Sequence, residues 1–417
     1  MTFLTAVNDS MFRWMVCPIA TNRFQGKTWS LGFASVKADD IVLPLGLFAF
    51  FLPFVIFAPW AGWVSDRFSK RTSIIWLKWA EVLLMVGGIL AIQQNHVSSM
   101  FILLFLIGAQ ATLIGTSKYG IIPELVRRKD ISAANGLSGV ATLIGSIIGT
   151  VAGYSLADLT IANPFAGLCV AGVALVGVAL AGVGGSILIE RVTAANSLVR
   201  FQWNLATDSI RDLKLVIRER GILRVSFGIV FFWSLAALAQ MNIHEFVTNE
   251  LSDVTPLSPG PFMAMLVIGV GIGSLLAGWW SSGRVELGMV PFGTLLMGLA
   301  CILLYFCSDS PVMTGAMLIM IGVGGGLFSV PLNAYIQERS PHEKLGAILA
   351  AVQQMTAVGM LCVSGLFWML NSPMHMTASQ IFLLSGVAII PIVVYSVWIL
   401  PQATIRFFVW LLSRFVY

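Results

Sequence analysis

Apolar residues along this chain form long runs, and short polar segments separate one run from the next. Each run is about 20 residues long, which is the length that an α-helix needs to cross the hydrocarbon core of a membrane. Because backbone polar groups in hydrocarbon must be satisfied internally, we interpret the runs as helices. The pattern predicts twelve spans, over residues 1–20, 41–64, 73–93, 99–116, 133–157, 164–189, 223–247, 260–281, 286–307, 311–334, 345–370 and 378–400.

Two loops between these runs are similar in sequence. Residues 61–67 read AGWVSDR, and residues 277–284 read AGWWSSGR. A repeated unit of span, loop and span is typical of transporters in which each half forms one wall of a substrate path. The sequence therefore predicts an all-α membrane protein with two six-helix pseudo-repeats. Its predicted parts are two halves over residues 1–190 and 223–400, a connector over 191–222 and a tail over 401–417.

Composition agrees with a membrane protein and excludes a soluble globule. Charged residues make up only 10% of the chain, whereas soluble domains carry about 25%. Among the Lys and Arg residues outside the spans, only Arg23, Lys27 and Lys37 fall on the side opposite the basic loops, so the positive-inside rule places both termini in the cytoplasm. The net charge of +5 fits attraction to anionic membrane lipids and gives no support to nucleic-acid binding. The five cysteines lack a metal-ligand spacing, and we expect neither a metal nor a cofactor.

The connector carries apolar residues at mostly helical spacing, at Leu205, Ile210, Leu213, Val216 and Ile217. Basic residues outnumber acidic ones around them. These features predict an amphipathic helix that lies on the inner face of the membrane.

Two pairs of charged residues lie inside the predicted spans. Asp9 is near the middle of the first span, where a lone charge costs about 2.5 to 3.5 kcal/mol, and Arg13 follows one helical turn later. The two residues could neutralise each other, or Asp9 could face a hydrated central cavity and meet a cationic or zwitterionic headgroup. Lys78 and Glu81 in the third span form a second predicted pair, which we interpret as a structural link between helices.

The outer half of the seventh span is unusually polar, with Gln240, Asn242, His244 and Glu245. A helix that faces lipid rarely carries such a group, so we expect these residues to face the cavity. Gln240 and Asn242 are candidate substrate contacts. His244, together with Glu245, is a candidate for proton coupling, although an interfacial histidine can also be merely wetted.

The loop from Gly62 to Arg71 reads G-x-x-x-D-R-x-x-K-R and closely matches the signature loop of the major facilitator superfamily. The resemblance implies the major facilitator fold. It also implies that Asp66 and Arg67 help latch the two halves on the cytoplasmic side and release when the cavity opens inward. We include Gly62, Lys70 and Arg71 with them as candidate gating residues. The alternative is a plain positive-inside turn.

Further segments narrow the resemblance to the bacterial lysophospholipid transporters. They are TSKYGIIPEL at 116–125, ANGL at 134–137, VPLNA at 330–334 and QER at 337–339. The resemblance implies a flippase that moves lysophospholipids, such as lysophosphatidylethanolamine, from the outer to the inner leaflet of the bacterial inner membrane for re-acylation by a partner acyltransferase. Asp9 is carried over as a headgroup contact, and Lys118 and Tyr119 join Arg13 as candidate substrate contacts. Charge partners that the family can place in the seventh and eleventh spans align with Gln240 and Ala357, so those roles do not transfer.

Some relatives in that family carry a fused acyltransferase domain, and the tail at 401–417 is similar to its lead-in. An H-x-x-x-x-D acyltransferase motif is absent from the sequence, and we expect no enzyme activity. Two other functions stay open. One is a proton-coupled exporter of drugs or metabolites, which the same loop and intramembrane acid would serve. The other is a non-transporting membrane anchor for a lipid-modifying enzyme.

Overall fold

Long α-helices make up most of the chain in the computed structural model. The structure describes residues 1–24, 28–30, 35–194, 198, 204–251, 259–281, 285–306, 310–371 and 374–399. Their helices are α1 (Thr2–Phe24), α2 (Ala38–Ile56), α3 (Ala58–Arg67), α4 (Lys70–Gln93), α5 (Val97–Gly120), α6 (Ile122–Leu125), α7 (Ile131–Ala162), α8 (Pro164–Ile187), α9 (Leu205–Arg218), α10 (Arg220–Phe246), α11 (Pro259–Trp280), α12 (Met289–Phe306), α13 (Pro311–Arg339), α14 (Leu345–Asn371) and α15 (Ala378–Ile399).

The predicted fold class is confirmed, because each of the twelve predicted spans coincides with a long helix or a bent pair of helices. Among the described residues, ten helices are individually long and apolar enough to cross a membrane, and α2 with α3 can form an eleventh span that bends by 53°. Helix α1 is not among these, which agrees with the polar Asn8, Asp9 and Arg13 that it carries. One small departure from an all-α fold is an antiparallel hairpin of β1 (Thr28–Ser30) and β2 (Ser35–Lys37).

Large apolar side chains cover the outside of the helices. Trp76, Leu83 and Val173 are each more than 70% exposed. Exposed apolar surface of this extent is unfavourable in water and is typical of helices that face lipid. The outward faces therefore support the membrane assignment independently of the length of the spans.

The bend between α2 and α3 follows from a proline. Pro59 lies in the first turn of α3 and has no backbone N–H to donate to the preceding turn. The regular helix is interrupted at Phe57, and α3 starts again in a new direction. As a result, Gly62 and Asp66 lie on a short helix whose direction is separate from that of the rest of the span.

The described chain divides into two compact units that exchange segments. The first unit contains residues 1–121, 145–215 and 341–357, and the second contains 122–144, 216–340 and the chain from 358 onward. The start of α14 therefore packs with helices of the predicted amino-terminal half, and the start of α7 packs with helices of the predicted carboxy-terminal half. The predicted boundaries at 190 and 223 concern the internal repeat and stay a prediction.

The core of the first unit lies between α1, α4, α5 and α8. Phe12, Met85, Leu104 and Leu175 are fully buried there. Helix α7 packs closely against α1 at Gly149, since a Cβ atom on this residue would lie 2.2 Å from the carbonyl oxygen of Val7. Only a residue without a side chain permits this close approach.

The predicted connector helix is present as α9, between Leu205 and Arg218. One side of α9 is buried, at Asp212 and Val216, while Ile210 and Ile217 are more than half exposed. The side-chain amide of Gln354 on α14 donates hydrogen bonds to the carbonyl oxygen of Val55 and to the hydroxyl of Ser209. Helix α9 is thus attached to the first unit and still carries exposed apolar residues.

Candidate functional site

A buried polar cluster in the first unit joins α1, α4 and α5. The Lys78 Nζ atom lies 2.6 Å from Glu81 Oε2, and both side chains are almost completely buried. The Asn8 side-chain amide donates to Glu81 Oε1 at 2.7 Å, and that of Gln110 donates to Glu81 Oε2 at 3.3 Å. A buried ion pair is tolerated when further hydrogen bonds satisfy its polar atoms. The predicted Lys78–Glu81 pair is therefore confirmed, and groups of the protein itself occupy the Glu81 carboxylate.

Asp9 and Arg13 lie beside this cluster but are not paired with each other in the described part of the chain. Asp9 Oδ1 and Arg13 Nε are buried atoms without a hydrogen-bond partner there. The Arg13 guanidinium instead lies over two aromatic rings, 5.0 Å from the ring centre of Phe50 and 5.7 Å from that of Trp14. Trp14 in turn stacks on Tyr154 at 5.1 Å. Cation–π contacts with these two rings thus stabilise the guanidinium.

The remaining substrate-contact candidates of the first half lie at the end of α5. Lys118 is half-buried, and its Nζ atom lies 5.1 Å from the centre of the Tyr119 ring. The charges of Glu81, Lys78, Arg13 and Lys118 all act on Asp9. Asp9 therefore lies within electrostatic range of both Arg13 and Lys118.

The candidates of the seventh span belong to the second unit and differ in their surroundings. Gln240 is exposed, whereas Asn242 is completely buried and donates from Nδ2 to the carbonyl oxygen of Ala378 at 2.8 Å. Asn242 thereby ties α10 to the first turn of α15, which is a structural contact. Glu245 is half-buried, and the side chain of His244 lies outside the described part of the molecule.

Two neighbouring polar contacts were not foreseen from the sequence. Glu250 accepts from the backbone N–H of Ser379 at 3.1 Å, close to the start of α15. Thr377 and Gln380 bond reciprocally to each other's backbone N–H groups, which is the capping-box arrangement. The sequence Thr377-Ala378-Ser379-Gln380 carries the signal for this box.

Asp66 of the signature loop forms a contact between the predicted halves. Its side chain is buried and accepts from the backbone N–H of Gly346 at 2.9 Å and from that of Ala347 at 3.1 Å. Both donors lie in the first turn of α14, where the helix dipole favours a negative charge. Gly62 makes the approach possible, since a Cβ atom there would lie 3.0 Å from Ala347 Cα.

Unlike Asp66, the basic residue Arg71 of the signature loop makes its hydrogen bonds within its own predicted half. Arg71 donates to the carbonyl oxygens of Ile189 and Ile187 at 2.7 and 2.9 Å, so it binds the end of α8 within the same half. A positive charge at the carboxyl end of a helix is favourable. Lys70 is fully buried next to Gly120, and Arg67 is half-buried.

A second contact between the halves lies in the second unit and was not predicted. Asn135 on α7 and Gln337 on α13 exchange two side-chain hydrogen bonds, of 2.7 and 3.0 Å. Both amides are buried. In addition, a Cβ atom on Gly136 would lie 2.6 Å from the carbonyl oxygen of Ser274 on α11. Helices α7, α11 and α13 therefore meet at close range through small or amide side chains.

The two similar loops occupy equivalent positions in these contacts. A Cβ atom on Gly62 would lie 3.0 Å from Ala347 Cα, and one on Gly278 would lie 3.2 Å from Ala133 Cα. Each loop glycine thus faces the first turns of a helix from the other half, α14 in one case and α7 in the other. The internal repeat of the sequence is the signal that could have revealed this symmetry.

Comparison with known proteins defines the class of this protein. The family model described as Major Facilitator Superfamily matches residues 2–364, and the chain belongs to this superfamily. The E. coli fucose:proton symporter superposes with a TM-score of 0.71 at 14% identity and covers 95% of this chain and 96% of its own. The human organic anion transporter MFSD10 gives a TM-score of 0.68 at 13% identity, covering 95% and 97%. At these identities the similarity shows the fold alone.

The curated relatives narrow the family further. A lysophospholipid transporter LplT of Serratia proteamaculans is 29% identical over 329 residues, which cover 78% of each chain. The protein of the same name from Yersinia enterocolitica is 28% identical and covers 78% of this chain and 77% of its own. The resemblance to lysophospholipid transporters of this superfamily is confirmed, and the chain is a membrane transporter rather than an enzyme.

Proposed function

We propose that this chain moves lysophospholipids, such as lysophosphatidylethanolamine, from the outer to the inner leaflet of a bacterial inner membrane by alternating access. The proposal rests on the sequence similarity to the lysophospholipid transporter of Serratia proteamaculans, which extends over 78% of this chain and 78% of that one. The intramembrane polar residues agree with it, because a lipid headgroup needs polar contacts while its acyl chain stays in an apolar environment. Both termini lie in the cytoplasm in this proposal, and a partner acyltransferase re-acylates the product.

The headgroup contacts lie in the first unit. Asp9 supplies a carboxylate oxygen that no described group of the protein occupies, unlike Glu81, which three donors surround. Arg13, Lys118 and Tyr119 contribute the remaining polar and aromatic groups near Asp9. Asn242 is already bonded within the second unit, which supports a structural role for it more than a role in binding.

The gate lies at the helix ends where the signature loop turns. The two hydrogen bonds from α14 to Asp66 act as a latch between the halves in this proposal, and the Asn135–Gln337 pair acts as a second one. Opening on this side requires both sets of bonds to break.

A transport assay tests the proposed substrate. Cells that lack their own lysophospholipid transporter would express this chain, and uptake and re-acylation of labelled lysophosphatidylethanolamine would be followed with and without an uncoupler. We expect uptake that survives the uncoupler and that falls in Asp9→Asn. A matched control is Asp158→Asn, which removes an exposed carboxylate from α7 and should leave uptake unchanged.

Other outcomes would favour the other functions. Uptake that disappears with the uncoupler would indicate proton coupling. Complete lack of uptake by well-inserted protein would favour an exporter of drugs or metabolites. Normal lipid turnover with Asp9→Asn, in cells where the chain itself is required, would favour a membrane anchor for a lipid-modifying enzyme.

A further inference from the structure

The bend between α2 and α3 removes a hydrogen-bond donor at a defined place. In a regular α-helix the carbonyl oxygen of residue 55 would accept from the N–H of residue 59, but that position is Pro59, which has no N–H. The carbonyl oxygen of Val55 therefore lacks its usual donor within the helix. Backbone polar groups at membrane depth need such a partner, and neighbouring helices commonly supply it where a proline interrupts a span.

A side chain of α14 supplies the replacement donor. The Nε2 atom of Gln354 donates to the carbonyl oxygen of Val55 at 2.7 Å. The same nitrogen donates to the hydroxyl of Ser209 on the connector helix α9 at 3.1 Å. A primary amide carries two hydrogens, so both bonds can form at once. Gln354 thus joins α14, the bend and α9 through one atom, and all three segments belong to the first unit.

This contact lies two helical turns beyond the bond of Ala347 to Asp66. Residues 347 and 354 are seven positions apart, so they share one face of α14 and lie about 10 Å apart along its axis. Between them, Ala350 packs against Gly62, where an added Cβ atom would lie 3.2 Å from the Cβ atom of Ala350. One face of α14 is therefore bonded to α3 at its start and to the bend at Gln354.

We propose that Gln354 is a positioning residue for alternating access, which makes α14, the bend between α2 and α3 and the connector helix α9 respond together when α14 moves. The inference rests on the proposed transport and adds to it a residue that lies outside the signature loop. A displacement of α14 that breaks the bond to Val55 removes the replacement donor at the bend. The same displacement releases α9 at Ser209, so the movement of one helix reaches the segment that joins the two halves of the sequence.

Hydrogen exchange of the purified chain tests this assignment with a variant that keeps the shape of the side chain. Gln354→Met retains an unbranched side chain of similar length but loses both donors. We expect amides around the bend, over residues 55–62, and amides of α9 to exchange about two- to tenfold faster than in the wild type, because one neutral hydrogen bond accounts for a factor of this size. Gln93→Met changes an exposed amide of α4 and is the control, which should leave both regions unchanged.

Pro59→Ala distinguishes hydrogen bonding from packing. The alanine restores an N–H that can donate to Val55, so the bend no longer depends on Gln354. In the Pro59→Ala background, Gln354→Met should therefore leave exchange around the bend nearly unchanged and still accelerate exchange of α9. Ser209→Ala should accelerate exchange of α9 alone. Because α9 lies outside the predicted spans, this last variant tests the link even if a substitution in α14 impairs folding.

The possible failures are distinguishable. If Gln354→Met accelerated exchange around the bend equally with and without Pro59→Ala, or not at all, the amide would not replace the missing donor and the inference would be overturned. Unchanged exchange of α9 in both Gln354→Met and Ser209→Ala would overturn the link to the connector. These measurements need only the folded chain, so a wild type that takes up no lysophospholipid would contradict the proposed function and leave the exchange results as they are.

Discussion

Replacing Asp66 by asparagine should weaken the contact between α3 and α14 by a predictable amount. Hydrogen bonds to a charged group contribute about 1.5 to 3 kcal/mol each, and Asp66 accepts two of them. An asparagine carbonyl can keep one bond, but its NH₂ group would face the second N–H as another donor. The favourable interaction of the charge with the start of α14 is lost too, at about 0.3 to 1 kcal/mol. The total loss is about 2 to 4 kcal/mol, which changes the ratio of closed to open forms by about 30-fold to 1,000-fold.

Distance measurements between spin labels can detect this shift. Labels attached through Phe68→Cys, just after α3, and Glu343→Cys, just before α14, would report on this contact, because both residues are exposed. The exposed native cysteines would be replaced first. We expect one short distance in the parent protein and an added population at longer distance in Asp66→Asn.

The control removes a carboxylate from the same kind of turn without touching the contact. Asp130 lies in the short turn before α7, and its side chain is 47% exposed. Asp130→Asn should reproduce the parent distances. If Asp66→Asn also left the distances unchanged, the two hydrogen bonds would not hold the halves together, and the latch would be refuted.

Three further predictions concern packing, the amide pair and the connector. Gly108→Ala should lower the free energy of unfolding by about 1 to 3 kcal/mol, and with it the melting temperature, because its Cβ would lie 2.2 Å from a carbonyl oxygen of α2. Gly177→Ala is the control and should not lower the melting temperature, since nothing lies within 4 Å of a Cβ at Gly177. Leucine substitutions of Asn135 and Gln337 should show a coupling of about 0.5 to 3 kcal/mol in a double-mutant cycle of thermal unfolding, and additive effects would contradict the pair. Burial raises the pKa of Asp212 from 3.8 to about 6, so the attachment of α9 should be strongest below pH 4 and weaken as the pH rises to about 6. Hydrogen exchange of α9 amides measures this, and Asp212→Asn should abolish the dependence.

The helices were predictable because the requirements of a membrane span are local. Every span must contain its own apolar length and its own backbone hydrogen bonds, so the sequence of that segment is sufficient to reveal it. The ends were less predictable. Helix α7 continues to Ala162 and α13 to Arg339, beyond the predicted ends at 157 and 334, because backbone hydrogen bonds can continue a helix past the end of its apolar run.

The contacts of the site depend on residues that are far apart in the chain. Asn135 and Gln337 are separated by 202 positions, and no pattern in a single sequence pairs them. For Arg13, the nearby Asp9 suggested an ion pair, but Phe50 on α2 provides a competing contact that the spacing on α1 could not reveal. By contrast, the signature loop directed attention to Asp66 because its residue types are characteristic of the superfamily.

The exchange of segments between the two packing units affects the order in which the chain can fold. Synthesis proceeds from the amino end, so residues 341–357 become available only after everything before Pro341 has been made, although they belong to the first unit. Until then, the first unit lacks the backbone N–H groups of Gly346 and Ala347 that bond to Asp66. Residues 122–144 likewise lack their packing partners until the later helices of the second unit have been made. Two fragments produced by cutting the gene within the connector should consequently be degraded when made singly and persist when made together.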